Sequence, residues 1–179
     1  MPQLTDVNAA LIFGTDTGNT EEVGEKIAEA LAGLGCPVEM INVSEASASV
    51  LKTFDFMIMG IPTWDFGGIQ ADWEEFESEL TTDALFGKPI ALYGLGDQFG
   101  YGDFFLDAMG WLHDHLTAAG AQIIGAWPIN GYDFNDSRAL NAERTHFCGL
   151  AVDEDQQFEL TDQRVEDWVN QIADEITEL

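Results

Sequence analysis

The sequence predicts an α/β domain built on a parallel sheet with helices on both faces. Short apolar runs alternate along the chain with stretches in which apolar residues recur at helical spacing, as in proteins of this class. The run 56–61 is apolar almost throughout, which is typical of a strand that is buried on both faces. At 179 residues, of which 46% are hydrophobic, the chain is long enough to form one domain over residues 1–179 with a substantial core.

The predicted elements follow one another as strand and helix. Strands are predicted at 9–13, 38–43, 56–61 and 89–95, with a fifth divided between 123–127 and 147–152. Helices are predicted from the spacing of Val23, Ile27, Leu31 and Leu34; of Trp73, Phe76 and Leu80; of Phe105, Met109, Leu112 and Leu116; and of Val165, Val169, Ile172 and Ile176. Pro128 and a polar stretch up to His146 interrupt the fifth strand. Because a sheet edge best tolerates such an excursion, we expect an insertion at about residues 128–146 in a strand at the edge.

Residues 14–20, which join the first strand to the first helix, have the features of a phosphate site. In such a turn the backbone N–H groups converge at the positive end of the helix dipole, and the threonine hydroxyls add further donors. The turn has no Lys or Arg and lacks the Walker pattern, so it suits a monoester phosphate better than a polyphosphate with magnesium. An ordinary polar turn with threonine caps is the alternative that this stretch alone leaves open.

Two further loops, 62–70 and 96–103, place Trp64 and Tyr101 among glycines just after strands. If the strand order is 2-1-3-4-5, these loops and the phosphate turn lie side by side at the carboxyl edge of the sheet, where open parallel sheets bind ligands. A flat aromatic ligand with a phosphate tail would fit between the two rings by offset stacking. The glycines that follow the fourth strand miss the dinucleotide fingerprint by one position, which argues against a nicotinamide-binding Rossmann domain.

Five motifs in this order resemble those of the flavodoxins, and specifically of the long-chain flavodoxins with a split fifth strand. They are 15–20, 62–64, 96–101, 131–134 and 149–155, and the resemblance covers nearly the whole chain. It implies a flavodoxin-like three-layer sandwich, with a five-stranded parallel sheet in the order 2-1-3-4-5 between helices. It also implies non-covalently bound FMN and one-electron transfer at low potential, without a catalytic base or nucleophile.

The resemblance also implies which residues bind the flavin. The residues expected at the phosphate are Thr15, Asp16, Thr17, Gly18, Asn19 and Thr20. Trp64 is expected to cover the inner face of the isoalloxazine and Tyr101 the outer face. Asp97 is expected to accept a hydrogen bond from flavin N3–H, and Asp155 to reach the ribityl chain. The other candidates in these loops are Pro62, Thr63, Phe66, Gly96 and Asp103.

The loop around Asp65 is expected to set the redox behaviour of the flavin. By the resemblance, the peptide after Asp65 meets flavin N5, and Gly67 gives that peptide room to reorient when N5 carries a proton. Asp65 stands where related long-chain proteins often have Asn, and Gly68 where they often have Glu. Carboxylates around a flavin that is shielded from water make an added negative charge costly, which lowers the potential of the second reduction step.

The charge of the chain restricts its partners. With 33 Asp and Glu against 6 Lys and Arg, the formal net charge is −27, so nucleic acid and anionic membranes are poor partners. One interpretation is docking onto basic patches of proteins, and another is adaptation to a salty cytoplasm. The resemblance implies partners among reductases of the ferredoxin/flavodoxin–NADP type, photosystem I, nitrogenase and oxoacid oxidoreductases, and a monomer is expected.

The remaining features favour a cytoplasmic protein without metal. The chain has no apolar segment typical of a signal peptide or a membrane span, and Cys36 and Cys148 are expected to be reduced thiols. The spacing of the histidines gives no metal site. A flavodoxin-like NAD(P)H-dependent flavin or quinone reductase is the alternative function, but it must bind a second anionic cofactor, and none of the six basic residues lies in the three loops. A flavin-free scaffold of the same fold is a third hypothesis.

Overall fold

A parallel sheet forms the centre of the computed structural model, which describes residues 3–179. The strands are β1 (Ala9–Phe13), β2 (Val38–Asn42), β3 (Phe56–Trp64), β4 (Gly68–Ile69), β5 (Pro89–Leu95), β6 (Gln122–Ile124), β7 (Trp127–Pro128), β8 (His146–Phe147) and β9 (Leu150–Val152). The main sheet has the order β2-β1-β3-β5-β6, and β9 also pairs with β5. Since β5 is the predicted fourth strand and β6 begins the fifth, the predicted order 2-1-3-4-5 is confirmed.

The fifth strand position is divided between β6 and β9. Residues Pro89 to Ala91 of β5 pair with β6, and Tyr93 to Leu95 pair with β9, both in the parallel sense. The split edge strand is therefore confirmed, but its predicted bounds are wrong at Trp127 and Phe147. Gly125 has φ 86° and turns the chain away after β6, so that β7 and β8 pair with each other in a separate antiparallel ribbon.

The helices form two layers, one on each face of the sheet. They are α1 (Asn19–Gly33), α2 (Ala48–Leu51), α3 (Ala71–Phe76), α4 (Thr82–Leu85), α5 (Asp107–Ala118) and α6 (Thr161–Thr177), with short 3-10 helices at Leu4–Asp6, Val43–Glu45, Glu77–Glu79 and Phe158–Leu160. α1 and α6 pack on the cluster that contains Leu11 and Tyr93, and α3 and α5 on the one that contains Ile12 and Leu92. Consecutive strand residues thus face opposite layers, and the three-layer α/β architecture is confirmed. Within residues 3–179 no helix is long and apolar enough to cross a bilayer.

Several helix and strand ends differ from the predictions, among them the end of β2, which lies at Asn42 rather than Val43. α5 begins at Asp107 because Leu106 has φ 61°, so Phe105 is buried in the core but not helical. Leu34 lies beyond the end of α1 and is 42% exposed, and Leu80 follows the end of α3. β3 continues to Trp64 because β4 turns back and pairs with it in the antiparallel sense.

Candidate functional site

A cleft of about 330 Å³ lies at the carboxyl ends of β1, β3 and β5. Its lining residues are Thr17, Asn19, Thr20, Pro62, Thr63, Trp64, Asp65, Leu95, Gly96, Asp97, Tyr101, Glu154 and Asp155. The structure thus brings the three predicted loops together at one site. The candidates that do not line the cleft are Thr15, Asp16, Gly18, Phe66, Gly67 and Asp103.

The turn before α1 leaves the start of the helix open. Gly18, at φ 94°, is the N-cap residue, and no side chain of the described residues caps the helix. The Gly18 amide donates to Thr15 Oγ1 at 2.9 Å, which folds the turn back on itself. Asp16 Oδ1 instead accepts from Gln70 Nε2 at 3.2 Å, so this side chain is engaged by the residue that caps α3. An uncapped helix start of this kind attracts an anion.

Tyr93 supports the phosphate turn from below, and sequence reasoning missed it. Its buried hydroxyl donates to the Thr20 carbonyl at 2.7 Å, and desolvation raises its pKa well above the ordinary value, with a further contribution from Glu21. A Cβ on Gly60 would overlap the Tyr93 ring, and one on Gly24 would lie 2.7 Å from its hydroxyl oxygen. The only sequence signal was a hydroxyl inside an otherwise apolar strand.

Trp64 forms one wall of the cleft and has an unsatisfied donor. It is half-buried at the end of β3, and its indole Nε1 is buried without an acceptor among the described residues. A buried donor that stays unpaired costs roughly 1–3 kcal/mol. This nitrogen is buried although the cleft is open, so the Trp64 ring rather than its N–H lines the cleft.

The turn between β3 and β4 carries an exposed phenylalanine that contacts two aromatic rings of a neighbouring loop. Asp65 and Gly67 have φ 47° and 86°, which holds the three-residue turn in a left-handed conformation. Phe66 is 77% exposed, and its ring makes edge contacts with Tyr101 at 5.8 Å and Phe104 at 5.6 Å. The Asp65 carboxylate beside the Tyr101 hydroxyl raises the pKa of that phenol. Phe66 therefore lies outside the cleft, at its mouth.

Asp97 is an ionised carboxylate at the third loop. Its Oδ1 accepts from the amides of Gly100 at 2.8 Å and Phe99 at 3.0 Å and from Gln156 Nε2 at 3.0 Å. Desolvation alone would raise the pKa of Asp97, but these donors outweigh it and lower the pKa. Oδ1 is thus fully engaged by the protein, and Oδ2 has no hydrogen-bond donor among the described residues.

Two further acids lie on the cleft, and one of them was not predicted. Glu154 lines it beside Asp155 and belongs to the same 149–155 motif, so its position in the motif was the available signal. Desolvation raises the pKa of both, and the nearby Asp97 and Asp153 carboxylates add to the shift of Asp155. The described part of the chain contains no cluster of three His, Cys, Asp or Glu side chains that could hold a metal ion. The cleft lining is therefore neutral or acidic throughout, with no Lys or Arg.

The chain is similar to known proteins in both sequence and fold. The flavodoxin family model matches residues 11–168. Flavodoxin 2 of Escherichia coli K12 is 43% identical over 174 residues, which are 96% of this chain and 98% of that protein. The flavodoxin of Synechococcus elongatus is 42% identical over 165 residues, 92% of this chain and 95% of that protein.

Comparison with a solved structure shows that the three-dimensional fold is also similar to that of a flavodoxin. The crystal structure of Fusobacterium nucleatum flavodoxin bound to flavin mononucleotide aligns with a TM-score of 0.85 at 27% identity. The alignment covers 93% of this chain and 97% of that chain. With family motif, sequence and fold in agreement over nearly its whole length, the chain belongs to the flavodoxin family.

Proposed function

We propose that this protein is a low-potential one-electron carrier that binds FMN and shuttles electrons between redox proteins. Flavodoxins are electron-transfer proteins rather than enzymes, and the resemblance predicted from the sequence is confirmed by the family match. The observation that carries the proposal is the cleft itself, with an uncapped helix start at one end and the Trp64 and Tyr101 rings at the other. When bound, FMN supplies the ability to take up and release one electron at a time.

Different residues of the cleft would bind different parts of FMN. The open start of α1 would bind the phosphate with Thr17, Asn19 and Thr20, which line the cleft. Thr15, Asp16 and Gly18 would shape the turn behind them, and Tyr93 fixes the Thr20 carbonyl. Trp64 would stack on the flavin and Tyr101 would close the outer side. Asp97 Oδ2, which has no donor among the described residues, would accept from the flavin ring edge. By the family resemblance, the peptide after Asp65 would meet flavin N5.

The electrostatics of the cleft set a low potential. Four carboxylates line it, those of Asp65, Asp97, Glu154 and Asp155, and the lining has no cation. The second electron adds net negative charge to this field, so the second reduction step is disfavoured relative to free FMN. The same argument disfavours a reductase that takes hydride from NAD(P)H, because its second cofactor is also an anion and would meet no basic side chain in the cleft.

The surface around the cleft fits a partner protein whose docking surface is basic and has an apolar centre. Phe66 is 77% exposed at the mouth, and Phe99, in the loop that carries Asp97 and Tyr101, is 64% exposed. The chain as a whole has a net charge of −27. Opposite charge steers encounter and sets orientation, while the apolar centre is buried on contact. We propose partners of the classes that the family resemblance implies: ferredoxin/flavodoxin–NADP reductase, photosystem I, nitrogenase and oxoacid oxidoreductases.

We also propose a cytoplasmic monomer. Cys36 and Cys148 are both free, and burial raises the pKa of both thiols, to about 12 for Cys148. Inert reduced thiols suit a reducing compartment. Self-repulsion at a net charge of −27 opposes association of identical copies.

A titration of the apoprotein with FMN and with riboflavin tests the proposal. Quenching of flavin fluorescence reports binding, and the two ligands differ only in the phosphate. We expect FMN to bind at least about tenfold more tightly, which is about 1.4 kcal/mol. Equal affinities would contradict the phosphate role of the turn, and bleaching of the FMN-loaded protein by NADPH alone would favour the reductase.

A further inference from the structure

We propose that Asp153 is a positioning residue for the bound flavin, which holds two cleft loops in place and lowers the flavin potential through a fixed, buried negative charge. Asp153 directly follows β9 and is fully buried, at 0% exposure. It does not line the cleft, although it lies within the 149–155 motif. The inference rests on the proposed function, because it requires FMN in the cleft.

Four N–H groups and no cation surround the Asp153 carboxylate. Oδ2 accepts from the Gln98 backbone amide at 3.0 Å and from Gln98 Nε2 at 2.8 Å. Oδ1 accepts from the amides of Asp155 at 3.0 Å and Gln156 at 2.9 Å. No ion pair within the described residues includes Asp153. N–H groups donate most strongly to a carboxylate, so these four hydrogen bonds fix the position of the Asp153 side chain.

Arg164 is the buried cation on the neighbouring helix, and it is engaged elsewhere. Its guanidinium lies over the Tyr132 ring at 4.1 Å, and Nη2 donates to the Gly131 carbonyl at 3.4 Å. No hydrogen bond joins Arg164 to Asp153 among the described residues, and Arg164 Nη1 is buried there without an acceptor.

The hydrogen bonds of Asp153 connect the two cleft loops that carry Asp97 and Asp155. Gln98 follows Asp97 directly, and Gln156 donates its Nε2 to Asp97 Oδ1 at 3.0 Å. Gln98 Oε1 also accepts from the Asp133 amide at 2.6 Å, which ties in the insertion. Displacing the Asp153 carboxylate would thus release both cleft acids at once.

The charge of Asp153 reaches the cleft through the protein interior. Its field contributes to the raised pKa of Asp155, after desolvation and the charge of Asp97. Salt screens exposed charges strongly but buried charges much less. A second electron on the flavin adds negative charge to the cleft, so a nearby fixed anion disfavours that step.

The test compares three variants of the FMN-loaded protein by anaerobic redox titration. Asp153→Asn removes the charge while keeping the size of the side chain. Gln98→Met removes two of the loop contacts without changing the charge, and Glu159→Gln removes one exposed surface charge. Each variant is titrated in about 0.1 M and about 1 M salt, where the Debye lengths are about 10 and 3 Å.

We expect Asp153→Asn to shift the second reduction step about tenfold towards the reduced form, or about 59 mV for one electron. That shift should persist in high salt, whereas any shift from Glu159→Gln should disappear. Gln98→Met should raise the FMN dissociation constant but shift the step less than Asp153→Asn. Asp153→Ser also removes the charge and leaves room for a water in place of the lost oxygen, so it must give the same shift. If Asp153→Asn does not fold, Asp153→Ser takes its place in the titration.

Two results would overturn the inference. One is an Asp153 variant that binds FMN with an unchanged second step, and the other is a Gln98→Met variant with an equal shift, which would assign the effect to loop geometry alone. An unchanged FMN affinity of Gln98→Met would remove the positioning role. Failure of the unmodified protein to bind FMN would instead overturn the proposed function, so the two failures are distinguishable.

Discussion

At the scale of single residues, Asp65 determines part of the charge at the cleft. It lies at φ 47° in the turn between β3 and β4 and borders the Tyr101 hydroxyl. We predict that Asp65→Asn raises the potential of the second reduction step by a few tens of mV, within the roughly 59 mV that corresponds to a tenfold change. Asn tolerates this φ as well as Asp does, so the backbone should stay in place. A redox titration that shows no change or a drop would contradict the role of this charge.

Tyr93 gives a second test at this scale. Tyr93→Phe removes the hydroxyl that donates to the Thr20 carbonyl and leaves the ring in place. We expect the free energy of unfolding to fall by about 1–2 kcal/mol, as for a buried hydrogen bond, and FMN to bind more weakly than before. Urea denaturation and FMN titration measure the two effects. The matched control is Tyr101→Phe, which keeps the exposed ring and should change stability little.

Asp107 makes stability depend on pH in a predictable direction. It is 6% exposed, and desolvation raises its pKa, although its Oδ1 accepts from the Arg138 amide at 2.8 Å. An acid whose pKa is higher in the folded state costs stability once the pH rises through its unfolded and folded pKa values. Asp107→Asn should therefore stabilise the protein at pH 7, and the gain should vanish near and below the ordinary pKa of an aspartate. Thermal melts of both proteins across this pH range check the sign.

At the scale of elements, the split edge strand depends on a glycine. A Cβ on Gly149 would collide with the Leu92 carbonyl, where the chain returns to the sheet just before β9. We predict that Gly149→Ala costs about 1–3 kcal/mol of stability, as overpacking does. Gly33→Ala, at the end of α1 with nothing within 4 Å, is the matched control and should stabilise by roughly 0.5–1 kcal/mol. Equal effects in urea denaturation would contradict the close approach.

The elements also show what the sequence could predict. Apolar runs, and an alternating pattern in β2, identified every strand of the main sheet except the short β4. The pattern is clearest in β1 and β3, which are buried on both faces. Trp64 and Tyr101 could be placed because they follow strands among glycines. Tyr93 and Asp153 could not, because their roles depend on partners 73 and 55 residues away. β7 and β8 were misassigned because one left-handed glycine, Gly125, redirects an apolar run that otherwise resembles a strand.

At the scale of the whole molecule, the net charge of −27 should make stability depend on salt. Repulsion among exposed carboxylates weakens as the Debye length shrinks from about 10 Å to about 3 Å between 0.1 M and 1 M salt. We expect the melting temperature to rise by several degrees over this range, at about 2–4 °C for each kcal/mol. A melting temperature that stays flat would contradict adaptation to a salty cytoplasm and leave partner docking as the use of the charge.

The central claim is that the cleft at the carboxyl edge of the sheet binds FMN and makes the protein a one-electron carrier. Stepwise anaerobic reduction, followed by absorbance and with the released cofactor identified by mass, tests it most directly. We expect bound FMN that is reduced in two separate one-electron steps, the second at low potential. A purified protein without flavin that FMN cannot restore, or direct two-electron bleaching by NADPH, would contradict it.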